Sequence, residues 1–389
     1  MLTARLDAVV TIGFPYSISN LRQQSGRAGR RNKDSLSVLV GDAYPTDQYY
    51  MNNPDEIFTK PNVQLQVDLE NILVREGHLQ CAAFEMPIKP QEDAKYFGED
   101  LPELAKERLK YSDLGFYHCH DRFQPYPSKH VAIRDTEDNH IAVIDITRGR
   151  NVVLEEIEPS RAMFTLYEGG VFLHQGYTYL VKDVNPDLKL AKVELVKVDW
   201  TTSPRDFTDV DPIETQAIRS IPGSPCKAFY GPIRIQTVVF GFFKLDRRKR
   251  VLDAVEVDSP PLVILSKGMW LDVPTSALDI LRLKNLNLAA AIHAAEHALL
   301  SLLPNFVTSM PGDVKTECKA PEKEFMKRET TRKRPARLTF YDAKGAGGTT
   351  TKAFEFVDLL LRRAVERVEL CACLGGCVEC MFLSPLFPW

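Results

Sequence analysis

The sequence predicts a multidomain α/β protein, and three features carry that reading. A strand–helix–strand unit opens the chain, helices give way to alternating β segments in its middle, and a late helix delivers closely spaced cysteines. At 389 residues the chain is long for one compact unit, so two to four are expected. A hydrophobic fraction of 44% supplies real cores. The formal net charge of −3 excludes a general polycation, so nucleic-acid binding must come from local basic patches. No apolar run approaches membrane-spanning length, and Asp7 interrupts the one stretch that could open a signal peptide. The expectation is a soluble intracellular protein with no membrane partner, nuclear in a eukaryote and otherwise cytoplasmic.

The elements follow in order. LDAVVTIG, Leu6 to Gly13, is a nearly continuous apolar run of the kind buried on both faces of a parallel sheet. Ser17 to Asn20 offers N-cap residues, and Leu21 to Arg27 can be helical before Gly29. LSVLV, Leu36 to Val40, is a second buried strand, and Asn53 to Pro61 reads as a connector. From Val67 to about Tyr117 the apolar spacing is helical and ends in a hairpin signal at Gly115, which suits a small helix-turn-helix or winged-helix module. Between His130 and Trp200, HVAIRD, IAVIDI, GVFLHQGYTYLV and AKVELVKVDW alternate between turn signals, predicting a small antiparallel β domain. Pro204 to Pro225 reads as a loose connection. IRIQTVVFGFFKL and PPLVILSKGMWLDV are strands leading into one long helix near Leu278 to Leu303. Lys315 to Arg337 reads as a charged, solvated loop, RLTFYD as a strand, GAGG as a turn, and Thr351 to Leu370 as a helix. The expected domains are therefore 1–58, 59–128, 129–215 and 216–389.

Arg22, Arg27, Arg30 and Arg31 crowd around Gly26 and Gly29 directly after the first strand. Arg27 and Arg30 are three apart, so on a helix they share a face, and the glycines leave the intervening surface low. Paired guanidiniums on such a surface suit a polyanion, above all transferring phosphate. A solvated basic turn, or a surface touching only nucleic-acid backbone, satisfies the composition equally.

Residue order adds more. Gln23-Gln24-Ser25-Gly26-Arg27-Ala28-Gly29-Arg30 resembles the Q-x-x-G-R-x-G-R motif of superfamily 2 helicases. With its flanks, LDAVVTIGFPYSISNLRQQSGRAGRRNKDSLSVLV and DQYYMNNPDEIF, the stretch resembles the RecQ-like DNA helicases of the Hrq type, which include mitomycin repair helicases. The resemblance implies a partial RecA-like parallel-sheet lobe, then the helical or winged-helix module, the antiparallel β domain and a C-terminal α/β zinc domain. It implies that Arg27 and Arg30 are arginine fingers, that Gln23 couples nucleotide state to lobe closure, and that Gly26 and Gly29 shape the nucleotide-facing surface. It further implies 3′-to-5′ movement on single-stranded or forked DNA and a role in repair. The chain contains no G-x-x-x-x-G-K-[ST] phosphate loop and no D-E-x-H box. The family's glycine-isoleucine-aspartate motif is also missing before LDAVV. The expectation is a truncated helicase that meets ATP and Mg²⁺ only with a missing first lobe. Gly345 to Lys352 (GAGGTTTK) imitates a phosphate loop, but its lysine does not follow a glycine, and it reads as a tight turn into a helix.

Cys371, Cys373, Cys377 and Cys380 give the spacing C-x-C-x₃-C-x₂-C. Short links and the Gly375-Gly376 bend allow four thiolates to close around one tetrahedral Zn²⁺ as a structural site; four inert reduced thiols are the alternative. The Hrq-type family carries such a cluster, usually with proline after the third cysteine, where this chain has Val378. Cys318 is a rival ligand. His293-Ala-Ala-Glu296-His297 matches the H-x-x-E-H pattern of inverted zinc peptidases, with Glu296 as base, but its apolar setting also suits a buried histidine. DNA contacts are expected from Arg247 to Arg250 and from Lys327, Arg328 and Arg332 to Arg334, each of which also reads as a solvated loop. Phe240, Phe242, Phe243 and Trp270 could stack bases or fill a core. A non-enzymatic DNA-binding module is the second functional reading and a zinc hydrolase the third.

Overall fold

The computed structural model describes residues 6–29, 33–62, 72–130, 140–310, 312–320, 336–343 and 348–381. The chain forms two compact units, 1–67 with 212–233 and 266–389, and 68–211 with 234–265. Both are discontinuous in sequence. Residues 234–265 cluster with the second unit, whereas the sequence reading put them in 216–389.

The first unit opens with β1 (Ala8–Ile12), α1 (Ile18–Ser25) and β2 (Leu36–Val40). The strands pair in parallel, Ala8 opposite Leu36 and Ile12 opposite Val40. Ser17 caps α1 by accepting from the Asn20 N–H at 3.0 Å. The helix ends at Ser25 with Gly26 as its cap, two residues short of the expected end at Arg27. The strands are not buried on both faces: Val10 is 61% and Ile12 81% exposed. Among the described residues β1 and β2 pair only with each other, so the surface that a wider parallel sheet would cover stays open.

Two helices follow, α2 (Pro45–Asn52) and α3 (Asp55–Thr59), the second lying where a connector was expected. Pro45 starts α2 without needing an N–H partner, and Asp55 and Glu56 favour the first turn of α3. Phe14, Ile18, Leu21 and Tyr50 form the small core, with the Phe14 and Tyr50 rings stacked at 4.1 Å. Buried Asp47 accepts from the Phe14 and Asp42 backbone N–H groups at 2.8 and 2.9 Å. The Thr46 hydroxyl donates to the Ser301 carbonyl at 2.8 Å, joining this portion to a later helix of the same unit.

The second unit begins with α4 (Ile72–Glu85), α5 (Pro90–Phe97), α6 (Leu101–Arg108) and the hairpin β3 (Lys110–Tyr111) and β4 (Tyr117–His118). Leu79, Leu101, Ala105 and Phe123 pack at its centre. Buried Gln80 donates to the Arg108 carbonyl and accepts from the His120 N–H, both at 2.8 Å, so it locks the hairpin to α6. Next come β5 (Ile141–Asp145), β6 (Val152–Ile157), α7 (Pro159–Thr165), β7 (Val171–His174), β8 (Tyr177–Asn185) and β9 (Leu190–Leu195), with strand order β6-β5-β9-β8-β7. The ladders are antiparallel except for β5–β9, which is parallel. Within HVAIRD, residues 131–135 lie outside the described residues.

β10 (Thr201–Pro212), β11 (Ala217–Ser220), β12 (Lys227–Leu245), β13 (Val251–Glu256) and β14 (Leu262–Asp272) follow. The loose connection expected after Pro204 is thus mostly strand. Proline is tolerated because β10 lies at a sheet edge. The expected long helix is two, α8 (Thr275–Leu283) and α9 (Leu288–Leu302), bent by 119°. Asn285 at φ 53° turns the chain, and Asn287 caps α9 by accepting from the Ala290 N–H at 2.9 Å. The first unit closes with β15 (Val314–Lys319), β16 (Arg337–Asp342), α10 (Thr349–Glu355) and α11 (Val357–Glu369). β15 corrects the solvated-loop expectation for 315–319, since it pairs with β16 and buries Val314 and Cys318 against α9, while 321–335 lie outside the described residues. α11 turns Val357, Leu360 and Ala364 inward at helical spacing.

Candidate functional site

The arginine-rich loop divides its labour. Arg22 is structural: its guanidinium donates to Asn62 Oδ1 at 2.8 Å and to the Ile57, Phe58 and Lys60 carbonyls at 3.0, 3.3 and 2.6 Å. It thereby satisfies the C-terminal carbonyls of α3 and ties that helix to α1. Arg22→Ala is expected to cost about 1–3 kcal/mol, read as a lower urea midpoint for this portion.

Arg27 behaves oppositely. It is exposed, and among the described residues its guanidinium makes no hydrogen bond or ion pair. It does not lie on the helix, because Gly26 ends α1 by donating to the Arg22 carbonyl at 2.9 Å. Ala28 then tucks inward and bridges to Leu6, which leaves Arg27 projecting between them. Gly29 takes φ +67°, and a Cβ there would run into the Ser35 side chain, so no other residue fits without moving the loop. Gln23, Gln24 and Arg27 line an open hollow of about 450 Å³ with Leu6, Val9, Val10, Thr11 and Ile12. Arg30 and Arg31 lie outside the described residues.

The cysteines come together. Sγ separations are 3.5 Å for Cys371–Cys377, 3.6 Å for Cys373–Cys380 and 3.9 Å for Cys377–Cys380, and all four sulfurs lie within 4.8 Å of one another. Zn–S bonds of about 2.3 Å at tetrahedral angles demand sulfurs about 3.8 Å apart, so the set fits Zn²⁺. Gly376 supplies the bend at φ +92°, and a Cβ there would strike Met381. Arg367 holds the loop to α11 by donating to the Glu379 carbonyl at 2.5 Å. The Glu379 backbone N–H, and then the Cys371 thiol, hold the Cys377 thiol down to about 7, whereas burial pushes Cys380 up to about 12. A bound dication would favour the thiolate at both.

Cys318 does not join them. It lies 3.5 Å from Nδ1 of His293, which is 3.8 Å from Glu296 Oε2, and the two imidazoles meet Nε2 to Nε2 at 3.2 Å. The Cys318 thiol and then Glu296 push the His293 imidazole up to about 9, and burial raises the Glu296 carboxyl. Glu296 is only 1% exposed, which does not suit the base of a peptidase that must reach a substrate.

Of the phosphate-loop imitation, 345–347 lie outside the described residues, and Gly348 precedes α10 in the left-handed region at φ 62°. Its helix N-terminus already holds an anion, since buried Asp342 accepts from the Thr350 N–H and hydroxyl at 3.0 and 2.9 Å. Arg247 to Arg250 form an exposed turn between β12 and β13, where Asp246 accepts from the Arg248 and Arg250 N–H groups and pairs with the Arg250 side chain. Lys327, Arg328 and Arg332 to Arg334 lie outside the described residues. Phe242 and Trp270 are core residues, while Phe240 is 41% exposed under the Arg205 guanidinium.

Comparison with known proteins places these features. Residues 67–136 match the winged helix domain of the ATP-dependent helicase HRQ1, and 295–381 match the MrfA Zn-binding domain. The chain is 50% identical over 387 residues to the ATP-dependent helicase HRQ1 of Saccharomyces cerevisiae, a match covering 97% of the chain and 36% of the relative. Against the ATP-dependent helicase hrq1 of Schizosaccharomyces pombe, identity is 43% over 384 residues with the same shares. The crystal structure of the DUF1998 helicase MrfA superposes with a TM-score of 0.56 at 22% identity, over 97% of this chain and 52% of that one. MrfA bound to DNA gives 0.52 at 22% identity, over 97% and 49%. These superpositions show a shared fold. The chain spans about a third of the length of the yeast relatives it matches. Along almost its entire length the chain is homologous to the Hrq1 helicases of these two yeasts.

Proposed function

We propose that this chain is the arginine-finger side of an ATP-dependent 3′-to-5′ DNA helicase acting in repair. A winged-helix module and a zinc-closed domain engage single-stranded or forked DNA. The observation that carries the reading is Arg27, exposed and with no hydrogen bond or ion pair among the described residues, lining an open hollow with Gln23 and Gln24. A guanidinium without a partner of its own is available to a phosphate from another body, and this loop is built to present one. In the proposal Arg27 and Arg30 stabilise charge on the phosphates of ATP, Gln23 couples nucleotide state to lobe closure, and a separate first lobe holds ATP and Mg²⁺. The four cysteines hold structural zinc. The protein works in the nucleus of a eukaryote or otherwise in the cytoplasm.

Mixing this chain with a nucleotide-holding lobe from a relative tests the assignment. DNA-stimulated phosphate release is expected from the mixture and not from the chain alone. Robust turnover by the chain alone would overturn it. DNA binding with no turnover in the mixture would instead support the non-enzymatic module.

A further inference from the structure

The core helix α9 carries a buried carboxylate, Glu296, beside His293 and the Thr316 and Thr339 groups. Glu296 sits in the apolar run AAAIHAAEHALL and is 1% exposed. Among the described residues its Oε1 makes no hydrogen bond. Burying an ionised carboxylate costs several kcal/mol unless an opposite charge offsets it. Its neighbours are ligand chemistry: His293 Nδ1, one turn earlier, lies 3.8 Å from Oε2, and the Cys318 thiol reaches the same nitrogen from β15 at 3.5 Å. One donor atom from each of the three lies within 4.8 Å of the others.

These separations can be set against those that an ion would impose. Tetrahedral zinc with Zn–S near 2.3 Å and Zn–N or Zn–O near 2.0–2.2 Å holds sulfur and nitrogen about 3.5 Å apart, and nitrogen and oxygen about 3.4 Å apart. The first matches the 3.5 Å observed, and the second falls a few tenths short of 3.8 Å. His297 completes the pattern from behind. A metal-binding imidazole passes its other N–H to a fixed acceptor, and His297 Nε2 stands 3.2 Å from His293 Nε2. Charge also closes, because one carboxylate and one thiolate cancel a dication while the imidazole stays neutral.

We infer that His293, Glu296 and Cys318 hold a second zinc ion, separate from the cysteine cluster, which pins α9 to β15. A water completes the tetrahedron, and His297 is a positioning residue that fixes the His293 tautomer. With Glu296 engaged as a ligand the site has no general base, so its role is structural. The H-x-x-E-H spacing is therefore a metal motif whose second histidine supports the first.

Metal content and zinc-edge X-ray absorption of the purified whole chain test this. Two zinc ions per chain are expected, with an average first shell of about 2.5 sulfurs and 1.5 lighter atoms, the mean of an S₄ site and a one-sulfur site. One zinc per chain in a pure four-sulfur shell would overturn the assignment, and this readout needs no variant. Cys318→Ala should then lower the content from two to one while leaving a pure sulfur shell. Joint replacement Cys377→Ser and Cys380→Ser should leave one zinc in a shell rich in nitrogen and oxygen. Retention of two zinc ions by Cys318→Ala would also sink the proposal.

Discussion

Cys377→Ser is expected to lose one zinc per chain and to open the loop from Cys371 to Met381. The loop has almost no apolar core to survive on: Leu374 is fully exposed and Val378 is 42% exposed. Structural zinc contributes about 10–16 kcal/mol to folding in small metal domains, far more than the few backbone hydrogen bonds here could replace. α11 keeps its own anchorage through Val357, Leu360 and Ala364, so the loss should stay local. Zinc content, with limited trypsin digestion mapped by mass spectrometry, reads both parts. Unchanged zinc together with unchanged protection around Arg367 would mean that the sulfur cluster does not hold the ion.

Arg27→Ala should have the other large effect, and a kinetic one. In a motor assembled from this chain and a nucleotide-holding lobe, removing an arginine finger lowers turnover by about 10³-fold or more. Stability should stay within about 0.5 kcal/mol, because the exposed guanidinium has no partner among the described residues. Arg27→Lys should rescue little, since an ammonium cannot offer the planar fork. Arg22→Ala should show the reverse pattern, with lowered stability and an intact chemical step as long as the portion stays folded. Measuring phosphate release and urea midpoints on both variants separates the roles. Equal kinetic losses at Arg22 and Arg27 would contradict the division of labour in this loop.

The same pair shows how far sequence can be read. Both arginines belong to one basic run, and nothing in the spacing separates them. What separates them is the carbonyl end of α3, about forty positions away, which Arg22 reaches and Arg27 does not. Pro204 misled for a similar reason: proline speaks against a strand until the strand is known to lie at an edge. The charges from Lys315 to Glu317 suggested a solvated loop, yet β15 keeps Val314 and Cys318 inward while pairing with β16. Asn285 and Asn287 were a local signal that could have divided α8 from α9, since both residues favour turns and caps over helix interiors.

What the sequence determined by itself is whatever depends on neighbours along the chain. The two strands flanking the arginine loop, the helices and hairpin of the winged-helix segment, and a four-cysteine set too closely spaced to serve separate sites are of this kind. Backbone preference and short linkage decide such features within a few residues. Only the tertiary structure decided which arginine ties α3 to α1 and which stays exposed, where Pro204 sits, and that Cys318 meets His293 across 25 positions rather than the other cysteines. Those outcomes rest on which faces pack together, and packing is settled by burial summed over the whole core.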